Sequence, residues 1–122
     1  MLYAEDDRSL QGLIEFWLTD AGYRVLLADD GAQALMMVRD HRPDLVITDA
    51  MMPNVTGDEV VETMKGDPDL AGIPIIMATA AASPIRVARM KELGCVAVLA
   101  KPLDEESFLA ACREALDTAP RT

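Results

Sequence analysis

Five short apolar runs recur along the chain, and each is followed by a segment with helical spacing. The runs are MLYAED (1–6), YRVLLADD (23–30), DLVITD (44–49), IPIIMAT (73–79) and CVAVLAK (95–101). Their Val, Ile and Leu residues are nearly continuous rather than alternating with polar ones, as in strands buried on both faces of a parallel sheet. The first three runs end in an acid, the fourth in a hydroxyl at Thr79 and the fifth in a lysine at Lys101.

The intervening segments supply the helices. Leu10, Leu13, Ile14, Trp17 and Leu18 follow i, i+3, i+4, i+7, i+8 spacing, with Asp7 as N-cap and Gly22 beyond the end. Ala34, Leu35 and Val38 form a second apolar face, entered through Asp30-Gly31 and stopped before Pro43. Gly57 to Lys65 make a third, with Val60, Val61 and Met64 inward, and Ser83-Pro84 starts a fourth that ends at Gly94. Asp104 opens the fifth, whose inward stripe is Phe108, Leu109, Cys112 and Leu116. Fivefold strand–helix alternation predicts an α/β fold with right-handed crossovers, its parallel sheet covered by helices on both faces. In 122 residues there is room for one such core, so a single domain over 1–122 is expected, with TAPRT at the end as a frayed tail or the start of something removed.

Composition narrows the functions. With 51% apolar but only 4% aromatic residues, the core must be aliphatic. A formal net charge of −10 opposes binding to nucleic acid or to an anionic membrane, both of which recruit Lys and Arg. No apolar run reaches the roughly 20 residues of a membrane span, and no signal peptide opens the chain, so a cytoplasmic protein is expected. Cys95 and Cys112 have no metal-type spacing and are expected as buried small hydrophobes. His41, alone in a polar stretch, is expected at the surface near a helix end, which leaves a zinc site or a Cys-His pair without support.

In open parallel sheets, ligands bind outside the carboxyl ends of the strands. That rim collects Glu5 and Asp6 after the first strand, Asp49 after the third, Thr79 after the fourth and Lys101 after the fifth. Three crowded carboxylates need a countercharge. A hard divalent ion such as Mg²⁺ supplies it while keeping sites for phosphate oxygens, and Lys101 and Thr79 add donors for a phosphoryl group. With no Ser-His or Cys-His pair, a carboxylate is the available nucleophile. Asp49 is the best placed, central in the sheet and followed by AMMPNVTG with Pro53 and Gly57.

These motifs resemble the receiver domain of two-component response regulators, of the chemotaxis-regulator type. EDD after the first strand, DAMMPNVTG after the third, ATA closing the fourth and KPL closing the fifth occur in the family's order and at similar intervals, across essentially the whole chain. The resemblance implies a flavodoxin-like (βα)5 fold with strand order 2-1-3-4-5. It implies Asp49 as phosphoacceptor, Asp6 as direct Mg²⁺ ligand, Glu5 acting mainly through metal-bound water and the Met51 carbonyl completing the protein's share. Thr79 would be the switch hydroxyl, Lys101 the phosphoryl-pairing lysine, and the Lys101-Pro102 bond cis. A sensor histidine kinase or histidine phosphotransfer protein would be the phosphoryl donor, and the domain would be a signalling module rather than a metabolic enzyme.

Some positions depart from the family. Val98 stands where many receivers carry a switch aromatic, and Ala97 lacks the acid of transcription-factor receivers that dimerise through this region. Met51 and Ala81 flank the acceptor with side chains unable to orient a water, so slow self-hydrolysis is expected. Phe16 lies off the first helix's buried stripe and is read either as part of the kinase-docking face or as peripheral packing; most methionines are read as core. Two rival readings fit this or a related α/β topology. A haloacid-dehalogenase-like phosphohydrolase with Asp49 as turnover nucleophile would want an acid where Met51 stands, and a flavodoxin-like cofactor binder would want a Ser/Thr/Gly-rich loop after the first strand.

Overall fold

The computed structural model describes residues 1–118, Thr118 by its backbone alone. The tail at 119–122, where fraying is expected, lies outside the described residues. Strands β1 (Leu2–Ala4), β2 (Leu26–Ala28), β3 (Val46–Asp49), β4 (Ile75–Thr79) and β5 (Ala97–Ala100) alternate with helices α1 (Arg8–Asp20), α2 (Gly31–His41), α3 (Gly57–Lys65), α4 (Pro84–Leu93) and α5 (Glu105–Thr118). All strand pairs are parallel, in the expected order β2-β1-β3-β4-β5. The strands are shorter than the apolar runs; 23–30 contracts to three residues because Asp30 leaves the sheet to cap α2, accepting from the Gln33 N–H at 2.8 Å.

Capping residues set the helix starts. Asp7 accepts from the Ser9 and Leu10 amides, Ser83 from Arg86, and Asp104 from Ser107. Thr56 and Glu59 exchange bonds in a capping box at α3. Gly94 ends α4 at φ 115°, a conformation costly for any residue with a Cβ.

The two-residue pleat sorts side chains onto two cores. Leu2, Ala4, Val46, Ile75 and Met77 face α2, α3 and α4, joining Val38, Val60, Val61, Met64 and Met90. Tyr3, Ile47 and Ile76 face α1 and α5, joining Ile14, Leu18, Phe108 and Cys112, with the Trp17 and Phe108 rings 6.0 Å apart. Among the described residues no helix is long and apolar enough to cross a membrane. His41 is exposed at the end of α2, and both cysteines are free and buried, as expected.

One apolar side chain departs from expectation. Leu13, assigned to the buried stripe of α1, is 44% exposed, and Gln11 is buried in its stead. The inward face is centred on Gln11, Ile14 and Leu18 because the Gln11 amide turns in to donate to the Glu5 carbonyl and, at 2.8 Å, to Asp29 Oδ1. Met36 and Met51 are exposed, while Met52, Met64, Met77 and Met90 are core.

Candidate functional site

Pleat parity delivers the site. Tyr3 and Glu5, Ile47 and Asp49, and Leu99 and Lys101 are pairs two residues apart, and the first member of each packs on the α1/α5 side of the sheet. Glu5, Asp49 and Lys101 therefore leave three strand ends in one direction. β1 and β3 adjoin at the centre of the sheet, where the chain reverses its direction of winding, so their carboxyl ends flank the crevice where open α/β sheets hold ligands. Backbone bonds brace the rim: Glu5 N–H donates to the Ala28 carbonyl at 3.0 Å, Ala50 to Ala78 at 3.3 Å, and Lys101 to Thr79 at 2.9 Å.

The loop behind Asp49 is held by a close approach. The Gly57 amide donates to the Ala50 carbonyl at 3.1 Å. A Cβ on Gly57 would fall 2.1 Å from the Asp49 carbonyl oxygen, so this position accepts hydrogen alone.

Carboxylate oxygens of Glu5, Asp6 and Asp49 all lie within 4.8 Å of one another. Glu5 and Asp49 are buried, whereas Asp6 is exposed on the outer side. Lys101 Nζ lies 2.6 Å from Glu5 Oε1 and 3.3 Å from Asp49 Oδ2. Burial alone would lower the Lys101 pKa, but the hydrogen bond to Glu5 and the charges of Asp49 and Glu5 outweigh it and hold the ammonium above its ordinary value. One ammonium against three carboxylates leaves a formal excess of two negative charges. All three acids are hard oxygen donors, and together they fit a small divalent cation.

Thr79 ends β4 beside Lys101's strand, in register with Ala100, and is 1% exposed. Its Oγ1 accepts from the Ala81 N–H at 3.0 Å, so the hydroxyl is engaged by its own loop rather than by the acids. Met51 lies in the loop two residues past Asp49 with its side chain 73% exposed. Phe16 is 64% exposed on α1, and Lys101-Pro102 is cis. The structure thus gathers Glu5, Asp6, Asp49 and Lys101 into one cluster and leaves Thr79 at its edge.

Sequence reasoning missed the donors that hold the cluster. Tyr3 Oη donates to Glu5 Oε1 at 3.1 Å from inside the core, and burial first, then the Glu5 charge, raises its phenol above the ordinary value. The Asp7 N–H donates to Glu5 Oε2 at 3.3 Å. A polar side chain inside an apolar strand, and another inside a helical stripe, were the available signals for Tyr3 and Gln11. Arg86 pairs with Asp58 across α4 and α3 through two bonds, at 2.7 and 3.2 Å, a link no local spacing announces.

Known proteins with this arrangement agree in sequence and in shape. Residues 1–113 match the family described as the response regulator receiver domain. The polar-differentiation response regulator DivK of Brucella anthropi is 32% identical over 119 residues, 98% of this chain and 97% of the relative. The chemotaxis response regulator CheY4 of Vibrio cholerae superposes with a TM-score of 0.88 at 33% identity, covering 94% of this chain and 96% of that one. The signal receiver domain of a signal transduction histidine kinase from Syntrophus aciditrophicus gives 0.90 at 30% identity, over 99% and 92%. The phosphohydrolase and flavin-binding alternatives find no counterpart among these similarities. The chain belongs to the response regulator receiver domain family, the phosphoacceptor module of two-component signalling.

Proposed function

We propose that residues 1–122 act as one receiver domain in which Asp49 accepts a phosphoryl group from a phosphohistidine of a sensor histidine kinase or phosphotransfer protein. The observation that carries this reading is the convergence of three carboxylates within 4.8 Å, with Lys101 Nζ 3.3 Å from Asp49 Oδ2. Glu5, Asp6 and Asp49, with the Met51 carbonyl, would hold Mg²⁺. Bound there, the ion neutralises the excess negative charge and offers positive charge to phosphoryl oxygens.

The chain's own groups do the rest. An Asp49 carboxylate oxygen attacks phosphorus in line, a P–O bond forms as the P–N bond breaks, and the imidazole leaves with the electron pair and takes a proton from solvent. Lys101 can follow the new charge from Glu5 toward the phosphoryl oxygens, and Thr79 can exchange its Ala81 contact for one of them. Both displacements alter the ends of β4 and β5 and the start of α4, so phosphorylation shifts a population between two arrangements and changes partner affinity. With Val98 at the aromatic switch position, the backbone and α4 carry the change.

The exposed Phe16 fits a role in donor docking. The formal net charge of −10 favours protein partners over nucleic acid or a membrane, and a cytoplasmic setting fits that reading. Turnover hydrolysis is disfavoured by an exposed Met51 where a second acid would be needed.

Beryllofluoride with Mg²⁺ is the test, read by amide NMR shifts. Shifts centred on residues around 49, 79 and 101 in the parent, and none in Asp49→Asn, support the reading; shifts that survive in Asp49→Asn overturn it.

A further inference from the structure

We infer that the Tyr3 hydroxyl is a positioning residue that keeps Glu5 aimed at the cation when Lys101 turns toward the phosphoryl group, an inference that rests on the function proposed above. Tyr3 is fully buried on β1 within an apolar cluster that includes Ile14, Leu18, Ile47 and Phe108. A phenylalanine would fill that volume equally well, and a buried hydroxyl is tolerated only with a partner. The partner is Glu5 Oε1 at 3.1 Å, reached because the two residues point to the same side of the strand.

The same oxygen accepts from Lys101 Nζ at 2.6 Å, while Oε2 accepts from the Asp7 amide at 3.3 Å. Of these donors, two are fixed and one is mobile. The amide belongs to the backbone and the Tyr3 ring is wedged in the core; Lys101 is a flexible chain that must change partner if it is to meet a phosphoryl oxygen. When it does, Glu5, 1% exposed, would lose its charge-assisted bond without solvent to replace it. The phenol remains on Oε1, holds the carboxylate's orientation and lowers the cost of releasing the lysine. Outer groups that orient metal ligands act in this way in many sites.

The test is Mg²⁺ affinity of the full chain, followed by amide NMR shifts, in Tyr3→Phe, Glu5→Ala and the double variant, with thermal unfolding measured separately. Tyr3→Phe is expected to weaken Mg²⁺ binding roughly tenfold and to have no further effect once Glu5 is alanine. An affinity within twofold of the parent, or an equal loss in the Glu5→Ala background, overturns the inference. If Tyr3→Phe does not fold, the hydroxyl proton of Tyr3 in the parent serves instead: a slowly exchanging resonance that shifts on adding Mg²⁺ is expected, and one that does not respond overturns the inference. A parent that fails to bind Mg²⁺ at all refutes the functional reading itself, a result distinguishable from these.

Discussion

α3 buries Gly57, Val60, Val61 and Met64 along nine residues, whereas α4, ten residues long, buries Met90 alone and leaves Ile85 84% exposed. Each helix follows a loop that leaves a site residue, Asp49 for α3 and Thr79 for α4. The first loop is clamped by the Gly57 approach and the Thr56–Glu59 capping box. The second ends in the Ser83 cap, and α4 beyond it is tied to α3 by the Arg86–Asp58 pair, each partner about a third exposed. Segments with few buried apolar contacts open at lower free energy than the core around them. The Asp49 end is therefore expected to open less readily than the Thr79 end, a contrast that under the proposed function would suit fixed geometry at an acceptor and a change that travels through α4.

The strongest way to break this contrast is to unclamp the rigid side. Gly57→Ala drives a Cβ into the Asp49 backbone and is expected to cost about 3 kcal/mol or more, read as a lowered midpoint in urea, with beryllofluoride binding lost in the same sample. A stability within 0.5 kcal/mol of the parent would mean that the loop yields easily and that the two ends do not differ. On the loose side, Arg86→Ala removes an exposed ion pair and should cost about 1 kcal/mol or less. Its signature is local: amide hydrogen exchange should quicken through α4 and not through α3, and equal acceleration of both helices would contradict the contrast.

A smaller effect compares the cysteines. Burial pushes the Cys95 thiol up to about 11 and the Cys112 thiol up to about 12 from the ordinary 9.0, so both are protonated and slow to alkylate near neutral pH. Cys95 lies just past α4 and is 5% exposed, while Cys112 is fully enclosed on α5. Peptide mass spectrometry after alkylation of the folded protein should find Cys95 modified several-fold faster; equal rates would place the opening elsewhere.

Periodicity carried most of the architecture, because strand runs and helical stripes are local. Asp7, Thr56, Ser83 and Asp104 cap their helices through bonds to residues two or three positions on, within reach of a sequence window. The acids and Lys101 could be gathered from strand ends because a parallel sheet brings those ends to one rim. What escaped depends on side-chain bonds across the fold. Leu13 was assigned inward from spacing alone, but the Gln11 amide reaches Asp29, 18 residues away, and rotates the stripe. The Arg86–Asp58 pair spans 28 residues. The Tyr3 hydroxyl is only two residues from Glu5, yet a tyrosine in an apolar run reads as core until the acid's lysine is seen to share its oxygen.

Intact-mass analysis after incubation with acetyl phosphate and Mg²⁺ tests the central claim most directly, since it asks whether the gathered carboxylates make Asp49 a phosphoryl acceptor. The parent should gain the mass of one phosphoryl group, only with Mg²⁺ present, and keep it well beyond seconds because neither Met51 nor Ala81 can orient a water; Asp49→Asn should gain nothing. An Asp49→Asn protein that takes up the group as readily, or a parent that never does, would contradict the account.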